Sequence, residues 1–400
     1  MSASWKKFPL HSICEKVSVG HVGTTTPYYR DTGIAFLRTK NIGADGIIID
    51  DLKYITPEFH TSLKKSQLKP GDLILTRVLT DTMKCGIVPQ SIGKANCANV
   101  ILIRPKQGLS SKFLHHLITS PIAQNYLLGK RVGAAQQVVN TNILKNWLVP
   151  LPPLEEQQRI VALLDEAFEG LARARAHAEA NLQNARELFE SYLHDLFTHP
   201  RADWERRELR HYCKKITVGH VGPMATRYKM KGTPFLRSQN IRPFKVDQSG
   251  MKFIDEAFTQ ELSKSELRPG DVAIVRTGYP GTCAVIPDDM EIANCADLVI
   301  ARTNKNLDPH FLELLLNSSF GKRLVAGASV GAAQKHFNVS AAKKAVFPIP
   351  SIAIQQQLVE QAGQLRMATD ELIAKGGGRL DDLDDLRQSL LQKAFTGELT

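Results

Sequence analysis

Apolar and small residues recur in steps of three and four along one stretch of this chain. They fall at Ile160, Leu164, Ala167, Leu171, Ala174, Ala178, Ala185, Leu188, Tyr192 and Leu196, with one seven-residue gap that skips Asn181. The spacing predicts a single long helix from about Leu151 to Phe197, carrying a heptad seam that requires a partner helix. Pro152 and Pro153 stand at its start, where proline is tolerated, and Pro200 stands just past its end. About 40 residues rising about 1.5 Å each would make a rod of roughly 60 Å, a spacer rather than part of a compact core. A second seam, Leu358, Ala362, Leu365, Thr369, Leu372, Leu383, Leu386, Leu390 and Ala394, lies 198 residues further on in the same register. Two like seams in one chain pair most simply with each other, antiparallel. Gly376-Gly377-Gly378 falls inside the second, where each glycine costs about 1 kcal/mol relative to alanine. A kink or local break and a close helix crossing are the two readings of that triplet.

Ahead of each rod the pattern is mixed. Ile34–Arg38, Ile47–Ile55 and Leu73–Val78 read as strands, Asn99–Arg104 as a strongly apolar strand, and Pro57–Lys65 as a short helix. Ser110–Leu128 has helical spacing with a break expected at Pro121, its counterpart is Phe311–Val325, and Trp147–Pro152 is extended. The chain says nearly all of this twice, 198–199 residues apart. Residues 17–42 match 216–241 at 12 of 26 positions, including Gly20-His21-Val22-Gly23 with Gly219-His220-Val221-Gly222. Phe36-Leu-Arg-x-x-Asn-Ile42 returns as Phe235-Leu-Arg-x-x-Asn-Ile241, Pro70-Gly-Asp72 as Pro269-Gly-Asp271, and Asn96-Cys-Ala98 as Asn294-Cys-Ala296. The fold class expected is α+β: two repeated mixed domains separated by a long antiparallel helical coiled coil, with an internal pseudo-twofold repeat.

Charge sharpens this division. Residues 1–150 carry 19 Lys and Arg against 8 Asp and Glu, and residues 200–350 carry 23 against 15. The rods are acidic, with 4 against 9 over residues 151–199 and 5 against 8 over 351–400. Basic blocks favour a polyanion such as nucleic acid, and acidic rods are poor surfaces for phosphates. No run approaches 18 consecutive apolar residues, and the first residues lack the apolar core of a signal peptide, so the expectation is a cytoplasmic protein that does not span a membrane.

Catalytic chemistry is hard to find. The chain has no Gly-x-Gly-x-x-Gly after a strand, no phosphate-binding loop, no Gly-x-Ser-x-Gly elbow and no methyltransferase signature. Six cysteines form three repeat-related pairs without Cys-x-x-Cys, as buried free thiols would. The candidates for DNA contact are instead His21 and His220 in glycine-flanked loops, Arg38, Lys40 and Asn41 with their counterparts Arg237, Gln239 and Asn240, and Arg77 with Arg276. These side-chain types pair with base edges or reach phosphates, although an arginine bridged to its own domain would read identically. Gln136-Gln137 and Gln334-Lys335, each after Gly-Ala-Ala, form slim polar turns that fit a groove. For the helix pair, the seam residues singled out are Ile160, Leu164, Leu171, Leu188, Leu358, Leu365, Leu372 and Leu390.

The two domain ends, Gly133-Ala-Ala-Gln136 followed by Val149-Pro-Leu-Pro-Pro-Leu-Glu-Glu-Gln157-Gln158-Arg159-Ile160, and Gly331-Ala-Ala-Gln334 followed by Phe347-Pro-Ile-Pro350 and Gln355-Gln356, resemble the specificity subunit of type I restriction-modification systems. Ile352-Ala353-Ile354 departs from the Leu-x-Glu expected there. The resemblance implies target-recognition domains at 1–150 and 200–350, a central conserved helix at 151–199 and a C-terminal one at 351–400. It implies no catalysis and no metal or cofactor in this chain. Its partners would be double-stranded DNA, read in two halves, and two DNA methyltransferase subunits carrying S-adenosylmethionine. Restriction subunits using ATP and magnesium would join where a system has them. Because the two domains match closely, half-sites related by a near-inverted repeat are expected, differing where Thr24–Pro27 faces Pro223–Thr226 and Lys40 faces Gln239. Their separation would be about one helical turn of DNA, roughly 34 Å. The other classes weighed are a protein-binding scaffold and a nuclease whose site carries no known signature.

Overall fold

The computed structural model describes residues 5–43, 46–77, 82–129, 138–139, 141–328 and 337–399. Two compact units emerge, residues 1–178 with 378–400, and residues 179–377. Two helices of 45 residues, Leu154–Thr198 and Ile352–Thr396, each contribute to both units. Among the described residues no helix is long and apolar enough to cross a membrane.

The first unit is built on two main sheets, with a separate two-stranded ladder pairing Lys7–Pro9 with Leu148–Pro150. One has the strand order Cys14–Val19, Val100–Pro105, Leu73–Thr76, Cys85–Ile87, all antiparallel. Its central strand, Val-Ile-Leu-Ile, is buried at all four apolar positions, because helices cover one face and the second sheet the other. The second sheet runs Tyr29–Arg30, Lys53–Ile55, Ile34–Leu37, Ala95–Cys97, Gln67–Leu68, and only Ile34–Leu37 with Ala95–Cys97 is parallel. Of the strand expected over Ile47–Ile55, only Lys53–Ile55 forms. The helical stretch divides at proline as expected, into Ser111–Thr119 and Pro121–Gly129.

The Pro-Gly-Asp turn has a second purpose. Asp72 accepts from the Lys69 N–H at 2.7 Å and takes both Nε and Nη2 of Arg104 at 2.7 Å, in a buried bidentate pair. The second unit repeats the device, Asp271 taking Arg302 at 2.8 and 2.7 Å. It also repeats the sheet order, Cys213–Val218, Leu298–Thr303, Val272–Val275, Cys283–Val285. All six cysteines are free. Burial pushes the thiols of Cys14, Cys97 and Cys213 up to about 12, so they stay protonated and inert.

The long helices are more than spacers. Ile160, Val161 and Leu164 share one core with Leu391, Ala394, Phe395 and the domain residues Phe113 and Leu117, and Phe113 meets Phe395 edge-on at 5.4 Å. Leu390 packs partly buried against that core, and Leu171 is half-buried. Within the second unit, Phe189, Leu193 and Phe197 enter a core with Trp204, Phe311 and Ala362, flanked by Leu358 and Leu365. Chain directions are opposed in each unit. Low numbers of one helix meet high numbers of the other, as where Arg175 pairs with Asp384, and where Leu182 meets Gly376.

The seam departs from expectation at three of its leucines. Leu188 is 48%, Leu372 53% and Leu386 49% exposed. The buried stripe runs instead through Ala185, Phe189, Leu193 and Phe197, in steps of four, because this half of the helix lies on a domain core rather than on one straight partner. On the second helix, Ile373, Gly376 and Leu380 are half-buried where Leu372 is exposed. The helix continues unbroken through the glycine triplet, so no local break occurs. A Cβ on Gly376 would lie 3.2 Å from Leu182 Cδ1, whereas Gly377 and Gly378 face open space.

Each rod is pinned to its domain by one glutamine. Gln157 is fully buried, accepts from the Ser110 N–H at 2.8 Å and donates to the carbonyls of Gly108 and Pro152 at 2.9 and 3.0 Å. Gln355 does the same with Asp308, Asn306 and Pro350. The repeated Gln-Gln at the head of each helix is thereby explained by its first member.

Candidate nucleic-acid interface

One end of the first unit's sheets gathers most of the expected contact residues. The Gly20 N–H donates to Val100 O at 2.8 Å and the His21 N–H to Cys97 O at 2.8 Å. Asn99 N–H returns to His21 O at 3.0 Å, and Ala98 N–H donates to Leu37 O at 3.0 Å. Thr76 pairs across from Val100, which sets Arg77 beside Asn99. His21, the loop from Arg38 to Asn41, and Arg77 are therefore neighbours at one edge, although up to 56 residues apart in sequence. The second unit reproduces this with His220 N–H on Cys295 O at 2.7 Å, Asp297 N–H on His220 O at 3.2 Å, and Val275 across from Leu298.

The arrangement changes the roles of several residues. Asn41 and Asn240, expected to face DNA, are fully buried. Asn41 takes the Arg38 N–H at 3.0 Å and donates to Ile48 O and Asp51 O at 3.2 Å each, so every group of its amide is spent inside the loop. Asn240 holds Asp247 O and Ser249 O in the same manner. Burial leaves neither amide a path to a base, and both act as frames for the loop. Arg38 donates to Asp51 O at 3.0 Å and lies over the Tyr29 ring at 5.9 Å; Arg237 donates to Gly250 O at 2.8 Å and lies over Tyr228 at 5.9 Å. These arginines also brace the loop from behind.

Gly20 is required for an internal reason. A Cβ there would stand 2.8 Å from Cys97 Sγ and O, and one on Gly219 would stand 2.7 and 2.8 Å from the equivalent atoms of Cys295. The histidine rings turn inward, His21 edge-on to Phe59 at 5.5 Å and His220 to Phe258 at 5.9 Å. What the loop presents outward is the next residue. Val22 is 61% and Val221 62% exposed.

Surface groups at this edge differ between units. Lys40 is ion-paired with Asp51, whose carboxyl is held below the usual carboxylate range first by the Lys40 hydrogen bond. In the second unit, exposed Gln239 replaces the lysine and Gly250 the acid. Asn99 gives way to Asp297, whose Oδ1 lies 3.4 Å from Arg276 Nη1. Gln136, Gln137, Gln334 and Lys335 lie outside the described residues. Among those described, no group of three or more His, Cys, Asp or Glu side chains could hold a metal. Sequence reasoning passed over Val22, Val221, Asn99 and Asp297. The signal for the last pair was present, since a repeated Asn-Cys-Ala is followed at once by a residue that differs.

Residues 3–177 match the family model described as the type I restriction modification DNA specificity domain. The chain is 23% identical over 393 residues to the type I restriction enzyme EcoKI specificity subunit of Escherichia coli K12, covering 93% of this chain and 84% of that one. It is 25% identical over 287 residues to the EcoBI specificity subunit of Escherichia coli, covering 66% of this chain and 60% of that one. Among solved structures, a chain from work on complex assembly and conformational transition of the type I R-M system superposes with a TM-score of 0.77 at 20% identity, over 99% of this chain and 98% of that one. The HsdS subunit from Thermoanaerobacter tengcongensis gives 0.64 at 21%, over 99% and 97%. The structural likenesses establish the fold.

Proposed function

We propose that this chain is a type I restriction-modification specificity subunit, each of whose units reads one half of a divided DNA target through the edge carrying His21 or His220. One observation carries the proposal. The same edge is assembled twice from repeated residues on a basic domain, with buried groups spent on shaping it and other groups left to face a ligand. The chain is a non-catalytic subunit; modification and cleavage reside on its partners in the complex. Asp72 and Asp271, the acids nearest a nuclease reading, are themselves buried and each is consumed by a part-buried arginine.

DNA and the other subunits of the complex are its partners. More specifically, the acidic long helices dock two DNA methyltransferase subunits that carry S-adenosylmethionine, and restriction subunits with ATP and magnesium join where present. The matched edges favour half-sites related by a near-inverted repeat, presented to opposite strands. Mapping methylated positions across the genome, with and without this chain, tests the whole reading. A two-part motif that disappears with the chain is expected. Methylation indifferent to the chain would overturn it, and two unrelated half-sequences would overturn the inverted repeat.

A further inference from the structure

We propose that positions 99 and 297 decide how the two half-sites differ, with Asn99 selecting adenine and Asp297, acting with Arg276, selecting a G·C pair. The proposal rests on the DNA-reading role inferred above and assigns that role to residues.

Both positions hold a non-glycine residue in the left-handed region, with φ of 56° and 54°. Glycine would satisfy that backbone with less strain, so an exposed Asx side chain at the same place in both units asks for a use. The position is fixed from two sides. Asn99 donates its N–H to His21 O at 3.0 Å and accepts from the Thr39 hydroxyl at 3.2 Å, while Asp297 N–H is held by His220 O at 3.2 Å. Each follows a buried cysteine and an alanine, buried at Ala98 and half-buried at Ala296, and stands beside an arginine across the strand pair.

The chemistry then divides. A carboxylate on a face that meets phosphates opposes binding unless it meets donors. Asp297 has one donor already in Arg276, and its remaining lone pairs suit the amino group of cytosine, while the oriented guanidinium suits O6 and N7 of guanine. One G·C pair offers all of these side by side in the major groove. Asn99 carries no charge, and its amide donates and accepts in the pattern of adenine N6 and N7. Arg77 has no carboxylate at position 99 to orient it.

The test uses the chain assembled with its methyltransferase subunits, scored by methylation of a randomised target library. Wild type should show an A·T pair in one half-site where the other has G·C. Asp297→Asn should shift that second position towards A·T by about tenfold or more and leave the other half unchanged, and Asn99→Asp should do the converse. The same base pair in both halves of the wild-type motif, or full activity with an unchanged motif in both variants, would overturn the assignment. Should Asp297→Asn not fold, Asp297→Gly keeps the left-handed backbone. It is expected to methylate without discrimination at that position, and retained discrimination would count against the proposal. Failure of the underlying DNA-reading role looks different: the wild-type assembly then yields no two-part motif.

Discussion

The edge carrying His21 and the edge carrying His220 share what is buried and differ in what is shown. Behind both lie the same asparagine frame, the same arginine over a tyrosine, and the same glycine pressed on a cysteine. In front, a Lys40–Asp51 pair faces Gln239 and a glycine, and Asn99 faces Asp297. A duplicated domain can thus keep the groups that shape a loop and vary those the loop displays. Repetition within this chain marks scaffolding more reliably than it marks contact.

That comparison can be broken most forcefully at the shared scaffold. Asp72→Ala and Asp271→Ala each remove the buried partner of a part-buried guanidinium, and each should destabilise its own unit by about 2–3 kcal/mol in chemical denaturation. Sharply unequal losses would show that the two scaffolds are not equivalent. Gln157→Ala and Gln355→Ala should cost about 2 kcal/mol, since each leaves a buried N–H and two carbonyls short of partners. Arg38→Ala and Arg237→Ala should cost about 1 kcal/mol and weaken only their own half-site, through a loosened loop. Wild-type stability in either variant would return these arginines to the list of direct contacts.

Acid should separate the units. Burial holds the His115 imidazole down to about 4 and His116 below its usual value, and both belong to the first unit. Their folded pKa values lie below the unfolded value of about 6.5, so the stability they contribute is present above that pH and is lost as pH falls towards 4. Glu313 and Leu314 occupy the corresponding places in the second unit, where His310 is instead raised by its hydrogen bond to Glu313. Its contribution has the opposite sign, complete below about 6.5 and lost as pH rises. Between pH 7.5 and 5 the first unit should weaken relative to the second by on the order of 1 kcal/mol, followed by amide exchange in each. The smallest effect belongs to Lys40→Gln, which removes an exposed ion pair and should change stability by less than about 0.5 kcal/mol while altering one half-site.

The repeat, the strands around its motifs and the two long helices were legible because hydrophobic period and turn chemistry are local. The division of labour at the reading edge was not. Asn41 has the chemistry of a base reader, and only the return of the chain at Ile48 and Asp51 shows its amide already occupied. Asp72 stands in a Pro-Gly-Asp turn, and nothing near it in sequence shows its partner, because Arg104 is 32 residues away. The heptad pattern erred at Leu188 for a related reason. A 3.6-residue period drifts about 20° per heptad, and the domain core, invisible in that stretch, took the Phe189 side instead.

The division of the long helices sets an order of events as the chain is made. Residues 179–377 form their unit from one continuous segment, which can close as soon as it emerges from the ribosome. The first unit, although begun earlier, lacks Leu391, Ala394 and Phe395 until the second unit has been made. Its Phe113 and Leu117 lack that part of their cover while residues 179–377 are translated. The domain begun first is therefore the last to be finished, and the one most exposed to aggregation or proteolysis on the way.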